Sequence, residues 1–390
     1  MKLLFITDLY PIDNDDEPLT LSAFVNNWKQ LGHYIDVIRP NFILNTLIRR
    51  KTIYKTGKFT RNGINIYNLN LITPFWFNVK NKLPSGFNLT DYDAIIAHMP
   101  SGILFAEALT EGLTIPKVYS AHASDIEVLS NYLYSFYFKS KLKTAYNNAD
   151  VISARSPILK AQISKLISKN EEEIRVAYSG VEAKKIVSLD IFEDKIKYIK
   201  STNTLKIITV ASNIERKNIK TVIRALASLK EINWHYTLIC KGKNFDNIEN
   251  IINKLDLKEK VTLLKNISNS EVIEKMKATQ LFILLSEKET FGMVYLEAMS
   301  QGNAIILKKG EAIDGIIIDE KNGYTCQNLP DQLEKTIKKI KNTELKELLE
   351  LARNSYETIS DYTDKNAAIN YISIIEEAIN KAKLRYEKLQ

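Results

Sequence analysis

Short apolar runs recur along this 390-residue chain, and most are followed by a segment of helical periodicity. Residues 3–7 read as a strand, and residues 22–31 as a helix closed by Gly32 at the C-cap position. Residues 34–38, 94–97, 117–120 and 151–153 continue the strand series, with helices at 104–110 and about 157–168. After an irregular, Lys-rich stretch at 182–204 the alternation starts again. Strands at 205–210, 236–239, 261–264, 281–285 and 304–307 are separated by helices at 218–229, 248–255, 270–278 and 291–301. Such strand–helix grammar specifies α/β sheets, mostly parallel and covered by helices on both faces. The simplest architecture is two Rossmann-like, doubly wound domains, 1–185 and 186–365, followed by a charged helix at 366–390.

Length supports that division, since ~150 residues per domain gives two. With 45% apolar and 26% charged residues, the chain is neither disordered nor fibrous. Its two cysteines, Cys240 and Cys326, have no Cys or His neighbour at metal-ligand spacing, so neither a disulfide framework nor a metal site is expected. The apolar run at the N-terminus ends at Asp8 and reads as a first strand, not a signal peptide. No run approaches the ~18–20 apolar residues that span a bilayer. A reducing, cytoplasmic location is the expectation.

In doubly wound sheets ligands bind at the carboxyl ends of strands. After the strand at 281–285 comes Ser286-Glu287-Lys288-Glu289-Thr290-Phe291-Gly292-Met293, and Glu297 follows in the helix. Read as continuous helix, Glu289 and Glu297 are ~12 Å apart along the axis and ~80° apart around it. The helix start offers free N–H groups and a partial positive charge, which suits a phosphate. A ligand with hydroxyls at both ends and a diphosphate between them, such as a nucleotide sugar, fits that spacing. Two glutamates eight apart also arise in helices by chance.

Here the chain resembles the retaining GT-B glycosyltransferases of family 4, whose E-x7-E motif is matched at Ser286, Glu289, Phe291, Gly292, Glu297, Ala298 and Gly302. The segment 210–218 is similar to the family's diphosphate-binding loop, with Lys217 on its lysine and Arg216 beside it. Residues 119–126 resemble its H-G-x-D element, which makes His122 the counterpart of the histidine at the donor sugar. Residues 180–182 and 321–324 also match family turns, and the GT-B fold implies that the C-terminal helix crosses back to the N-terminal domain. The resemblance implies His122, Glu289 and Lys217 as catalytic residues. It implies Arg216, Ser212, Phe291, Gly292, Met293 and Glu297 as donor-binding residues. His98, Asp125 and Ser22 are the candidates for the acceptor side of an interdomain cleft. Asp125 either orients the imidazole or caps the following helix. His33 and His235 read as structural.

The implied reaction moves a sugar from a nucleoside diphosphate to a glycan or lipid-linked acceptor, with retention and without a metal, as in cell-surface polysaccharide assembly. Departures from the pattern exist. Residues 8–22 lack the family's glycine pair and hold four carboxylates within 13–17, and Ser212 stands where many relatives have arginine. These motivate a rival expectation, a catalytically degenerate sugar-nucleotide-binding subunit that scaffolds a partner transferase. A nucleotide-sugar epimerase shares the two-domain fold but not the E-x7-E context. A Ca²⁺ loop at 13–17 lacks the glycine and terminal glutamate of an EF-hand.

Charge is local. Residues 37–90 hold nine basic residues and no Asp or Glu, against a net charge of +8 for the whole chain. Phe42, Tyr54, Phe59, Phe75, Trp76 and Phe77 interleave with them, and the run 132–143 has the same character. Cations mixed with aromatics suit an anionic membrane surface, and equally a solvated basic face over core aromatics. No nucleic-acid-binding motif is present.

Overall fold

A computed structural model describes residues 1–12, 20–42, 54–71, 79, 83–131, 136–243 and 245–387. The acidic loop at 13–17, residues 43–53, 72–78 and 80–82 of the basic stretch, and residues 132–135 lie outside them. Two compact units result: Met1–Ser179 with Asp364–Gln390, and Gly180–Thr363.

In the first unit, β1 (Lys2–Ile6), β2 (Tyr34–Phe42), β3 (Gly57–Arg61), β4 (Ile64–Leu71), β5 (Ala94–His98), β6 (Lys117–Ala121), β7 (Val151–Ala154) and β8 (Ile174–Val176) form one sheet. Its order is β3-β4-β2-β1-β5-β6-β7-β8. Every pair is parallel except β3 with β4. That hairpin turns at Asn62 and Gly63, both with positive φ (51° and 67°), the requirement of a two-residue type I′ turn. It places Tyr54 and Phe59 against the core, so these two aromatics pack inward and do not form a membrane-facing belt.

The strands alternate with period two. Leu3, Phe5, Val37, Ile96 and Val118 face one layer of helices, while Leu4, Ile6, Ile38, Ile95 and Tyr119 face the other. Helix Thr20–Gln30 and the C-terminal helix Asp364–Glu387 cover the first face. Gly32 at φ 88° ends the first of these, as its C-cap position predicts. Trp28 joins the two helices. It is fully buried, donates from Nε1 to the Ala368 carbonyl at 3.1 Å, and packs edge-on against Tyr371 at 5.2 Å and Phe5 at 5.8 Å.

The second unit has six parallel strands: β9 (Leu205–Ser212), β10 (Trp234–Lys241), β11 (Val261–Lys265), β12 (Leu281–Leu284), β13 (Ala304–Lys308) and β14 (Tyr324–Cys326). Their order is β11-β10-β9-β12-β13-β14, so the sheet's switch point lies beside β9. Residues 182–204, expected to be an irregular linker, contain helix Leu189–Ser201. Its Phe192, Ile196 and Ile199 repeat at helical spacing and are buried, which offsets the run of lysines around them. Gln301 Nε2 donates to the Lys185 carbonyl at 2.8 Å, which ties the residues before that helix into the second unit. Gly180 and the residues that follow it accordingly belong to the second unit.

Trp28→Ala removes the largest buried side chain between helix Thr20–Gln30 and the C-terminal helix. The expected cost is ~3–5 kcal/mol. Urea unfolding followed by circular dichroism should show a transition moved to lower urea; an unchanged midpoint would contradict this packing account.

Candidate functional site

Two clusters of polar side chains stand at the carboxyl ends of the strands, one in each unit. In the second unit, β9 and β12 are neighbours, so the loops after them run side by side. Backbone and side chains stitch those loops together. The Glu287 N–H donates to the Arg216 carbonyl at 2.8 Å, Arg216 Nη1 donates to the Glu287 carbonyl at 3.1 Å, and Asn218 Nδ2 donates to the Leu285 carbonyl at 2.7 Å. Asn218 itself is left-handed, with φ 53°.

Glu289 is the centre of this cluster. Its Oε2 pairs with Lys217 Nζ, accepts from Ser286 Oγ at 3.1 Å and lies 3.8 Å from Arg216 Nη1. The Lys217 and Glu289 side chains are only 10% and 16% exposed, so water screens the pair weakly. Close by, Lys308 at the end of β13 pairs with Glu287 at 3.2 Å and Glu311 at 3.7 Å. The hydrogen bond from Lys308 holds the Glu287 carboxyl below the usual range. Lys308 was not singled out from the sequence, although it ends a strand, the position where ligand contacts are sought.

Lys288 (φ 52°) and Gly292 (φ 86°) are both left-handed, and the helix begins only at Met293. Glu297 is therefore its fifth residue, one turn in, and the spacing expected from an uninterrupted helix does not apply. Burial pushes the Glu297 carboxyl up, opposed by Lys185 and Lys241. Ser212 ends β9, exposed and in register with Lys241. Met293 is half-buried at the helix start. Phe291, expected at the donor, is buried.

In the first unit, β5 and β6 are neighbours and end in His98 and, one residue past Ala121, His122. His98 Nδ1 lies 2.9 Å from His122 Nε2, and His98 Nε2 lies 2.9 Å from the Tyr371 hydroxyl. His122 is 5% exposed and His98 fully buried. Burial lowers the His122 imidazole to about 3, with Arg155 adding to the effect, and drives His98 well below its usual value. Both rings are neutral. Complete burial removes His98 from direct contact with a ligand, contrary to expectation: it stands behind His122. Ser22 is also buried.

Asp125 settles as a cap. Its Oδ2 accepts the His122 backbone N–H at 2.9 Å, and its Oδ1 accepts the Tyr146 hydroxyl at 2.7 Å, so it holds the backbone of His122 and not the ring. Burial raises its carboxyl to about 7. Arg155, just past β7, is buried among the Ala177 carbonyl, the Ser179 hydroxyl and the Phe24 ring. Arg155 and Tyr371 escaped the sequence reading. Arg155 follows a strand and was open to the strand-end rule; nothing in the sequence pointed from Tyr371 to His98. His33 and His235 make hydrogen bonds to the N-terminus and Thr262. Among the described residues no three His, Cys, Asp or Glu side chains gather as a metal-binding group, and no helix is long and apolar enough to cross a membrane.

Gly292 admits no side chain. A Cβ there would sit 2.6 and 2.7 Å from carbons of the buried Tyr295 ring, whose hydroxyl is tied to the Leu284 carbonyl at 2.8 Å. Gly292→Ala should cost ~1–3 kcal/mol through left-handed strain and overlap. A thermal melt at the wild-type midpoint would show that the ring gives way.

Two family models match the chain: "Glycosyl transferases group 1" over residues 190–358 and "Glycosyltransferase Family 4" over residues 20–185. An uncharacterized glycosyltransferase of Methanocaldococcus jannaschii is 29% identical, over 66% of this chain and 68% of its own. The N-acetyl-alpha-D-glucosaminyl L-malate synthase of Bacillus anthracis is 25% identical over 76% of each chain. The crystal structure of Anabaena HepE in complex with UDP and glucose superposes with a TM-score of 0.67 at 18% identity, covering 96% of this chain and 98% of that one. The two parallel-sheet α/β units thus form the GT-B fold, and the chain belongs to the group 1, family 4 glycosyltransferases.

Proposed function

We propose that this glycosyltransferase moves a sugar from a nucleoside-diphosphate sugar to a glycan or lipid-linked glycan acceptor, with retained anomeric configuration and no metal, in the building of cell-surface polysaccharide. The observation that carries this reading is the Glu289 carboxylate, held by Lys217, Arg216 and Ser286 beside the helix start at Gly292. Lys217, Arg216 and the helix N-terminus meet the charge of a leaving diphosphate. Glu289 accepts from sugar hydroxyls and Glu297 from ribose hydroxyls, since carboxylates take paired, charge-assisted bonds. His122 contributes a neutral hydrogen-bonding group to the sugar.

In this scheme the bond between the anomeric carbon and the diphosphate oxygen breaks, and that oxygen keeps the electron pair. The acceptor hydroxyl forms the new bond on the face the leaving group vacates. Its proton passes to a phosphate oxygen. The protein supplies charge and position, the usual source of most of the rate in such transfers. The UDP in the Anabaena HepE crystals makes a uridine nucleotide the first donor to test.

A thermal-shift panel of UDP-glucose, UDP-N-acetylglucosamine and GDP-mannose selects the donor. With it, Lys217→Ala and Glu289→Ala should each lower turnover by about 10²–10³-fold while the far-ultraviolet spectrum stays native. EDTA should leave the wild-type rate unchanged. Near-normal turnover in either variant, or loss of the rate in EDTA, would refute the corresponding part of the proposal.

A membrane surface is the second part of the reading, supported by helix Phe136–Asn148. Phe136 is 86% exposed, Tyr137 is exposed beside it, and Lys141 Nζ lies 5.6 Å from the Tyr137 ring centre. Exposed aromatics next to lysines favour an anionic interface. The protein should float with vesicles containing phosphatidylglycerol but not with pure phosphatidylcholine, and high salt should release it. Equal behaviour with both vesicle types would remove the membrane from the account.

A further inference from the structure

The buried row Tyr371–His98–His122 has no place in the chemistry above, beyond the last of its members. It crosses from the C-terminal helix to the ends of β5 and β6, and both of its contacts measure 2.9 Å. We infer that Tyr371 and His98 are positioning residues: they form a hydrogen-bond relay that fixes the ring and the proton of His122. The inference rests on the role given to His122 under the proposed function.

A neutral imidazole has one N–H donor and one bare nitrogen acceptor. His98 engages both of its nitrogens, so the direction of one contact dictates the other. If the Tyr371 hydroxyl donates to Nε2, then His98 donates from Nδ1 to His122 Nε2. The proton of His122 is then confined to Nδ1. The opposite direction confines it to Nε2. Either way His122 holds one tautomer, and the direction of the contact with Tyr371, 273 positions from His98, sets which one.

Close packing holds the phenol in place. Tyr371 is fully buried, its ring meets Phe24 and Trp28 edge-on at 5.2 Å each, and Trp28 anchors the helix through the Ala368 carbonyl. Phe5 packs on the His98 ring at 4.9 Å. Asp125, the carboxylate next to His122, is spent on the backbone and on Tyr146. His98 is then the side chain bonded to the imidazole.

The chain has four histidines, so selective ¹⁵N-histidine labelling gives a readable long-range ¹H–¹⁵N spectrum. In the wild-type protein His122 should show one protonated and one bare nitrogen at neutral pH. In Tyr371→Phe those two signals should move toward each other. Turnover of the sugar nucleotide selected above should fall roughly tenfold, with the donor KM within about twofold. His98→Gln, which keeps a donor and an acceptor, should retain more turnover than His98→Leu. Averaged His122 nitrogens in the wild type overturn the inference whatever the variants do. So do wild-type kcat and an unchanged spectrum in Tyr371→Phe. If that variant does not fold, equal turnover of the two His98 variants overturns it. His122→Ala separates the two layers of argument: full turnover there removes the role of His122 itself, whereas a dead His122→Ala with a normal Tyr371→Phe removes the relay alone.

Discussion

Parallel pairing of adjacent strands brings the working side chains together in both units. The register of β9 with β12, Ile207 opposite Leu281 and Ile208 opposite Phe282, brings two loops of distant sequence to one edge of a sheet. Lys217 and Glu289 meet there across 72 positions. The register of β5 with β6 does the same for His98 and His122. In a parallel sheet all strands end on one side, so every such pairing delivers its loops to the same rim. A slip of one residue in either register would turn apolar faces outward as well as separate the partners.

The two rims manage charge in opposite ways. In the second unit opposite charges are paired while partly withdrawn from water, around Glu289 and again around Lys308. Such pairs gain little over an apolar substitute, yet removal of one member leaves an uncompensated charge. In the first unit burial suppresses charge. His98 and His122 are neutral, and the Asp125 carboxyl is raised to about 7. Arg155 remains the exception, held by a carbonyl, a hydroxyl and an aromatic face, with burial lowering it to about 10.

The strand–helix alternation was legible because apolar periodicity is a local property, and the strand-end rule led to Glu289, whereas Lys217 and His122 came from the family resemblance. Local signals also misled. Lysines masked helix Leu189–Ser201, although Phe192, Ile196 and Ile199 carried its period. The turn of Asn62-Gly63 was a hairpin signal that went unread behind the surrounding basic residues. A left-handed Gly292 delayed a helix that residue types alone would start earlier. The partnership of Tyr371 with His98 was not legible at all. It depends on tertiary docking of one helix, and nothing in the neighbourhood of either residue encodes it.

The first unit is built from both ends of the chain, with the second unit inserted between them. During synthesis the ribosome releases Phe24 and Trp28 early, while the helix that covers them emerges more than three hundred residues later. The inserted unit is contiguous and completes its own sheet first. Until that helix has emerged, the nascent first unit carries an uncovered aromatic strip. Completion of the His122 rim therefore waits for helix Asp364–Glu387, which follows the whole second unit in sequence.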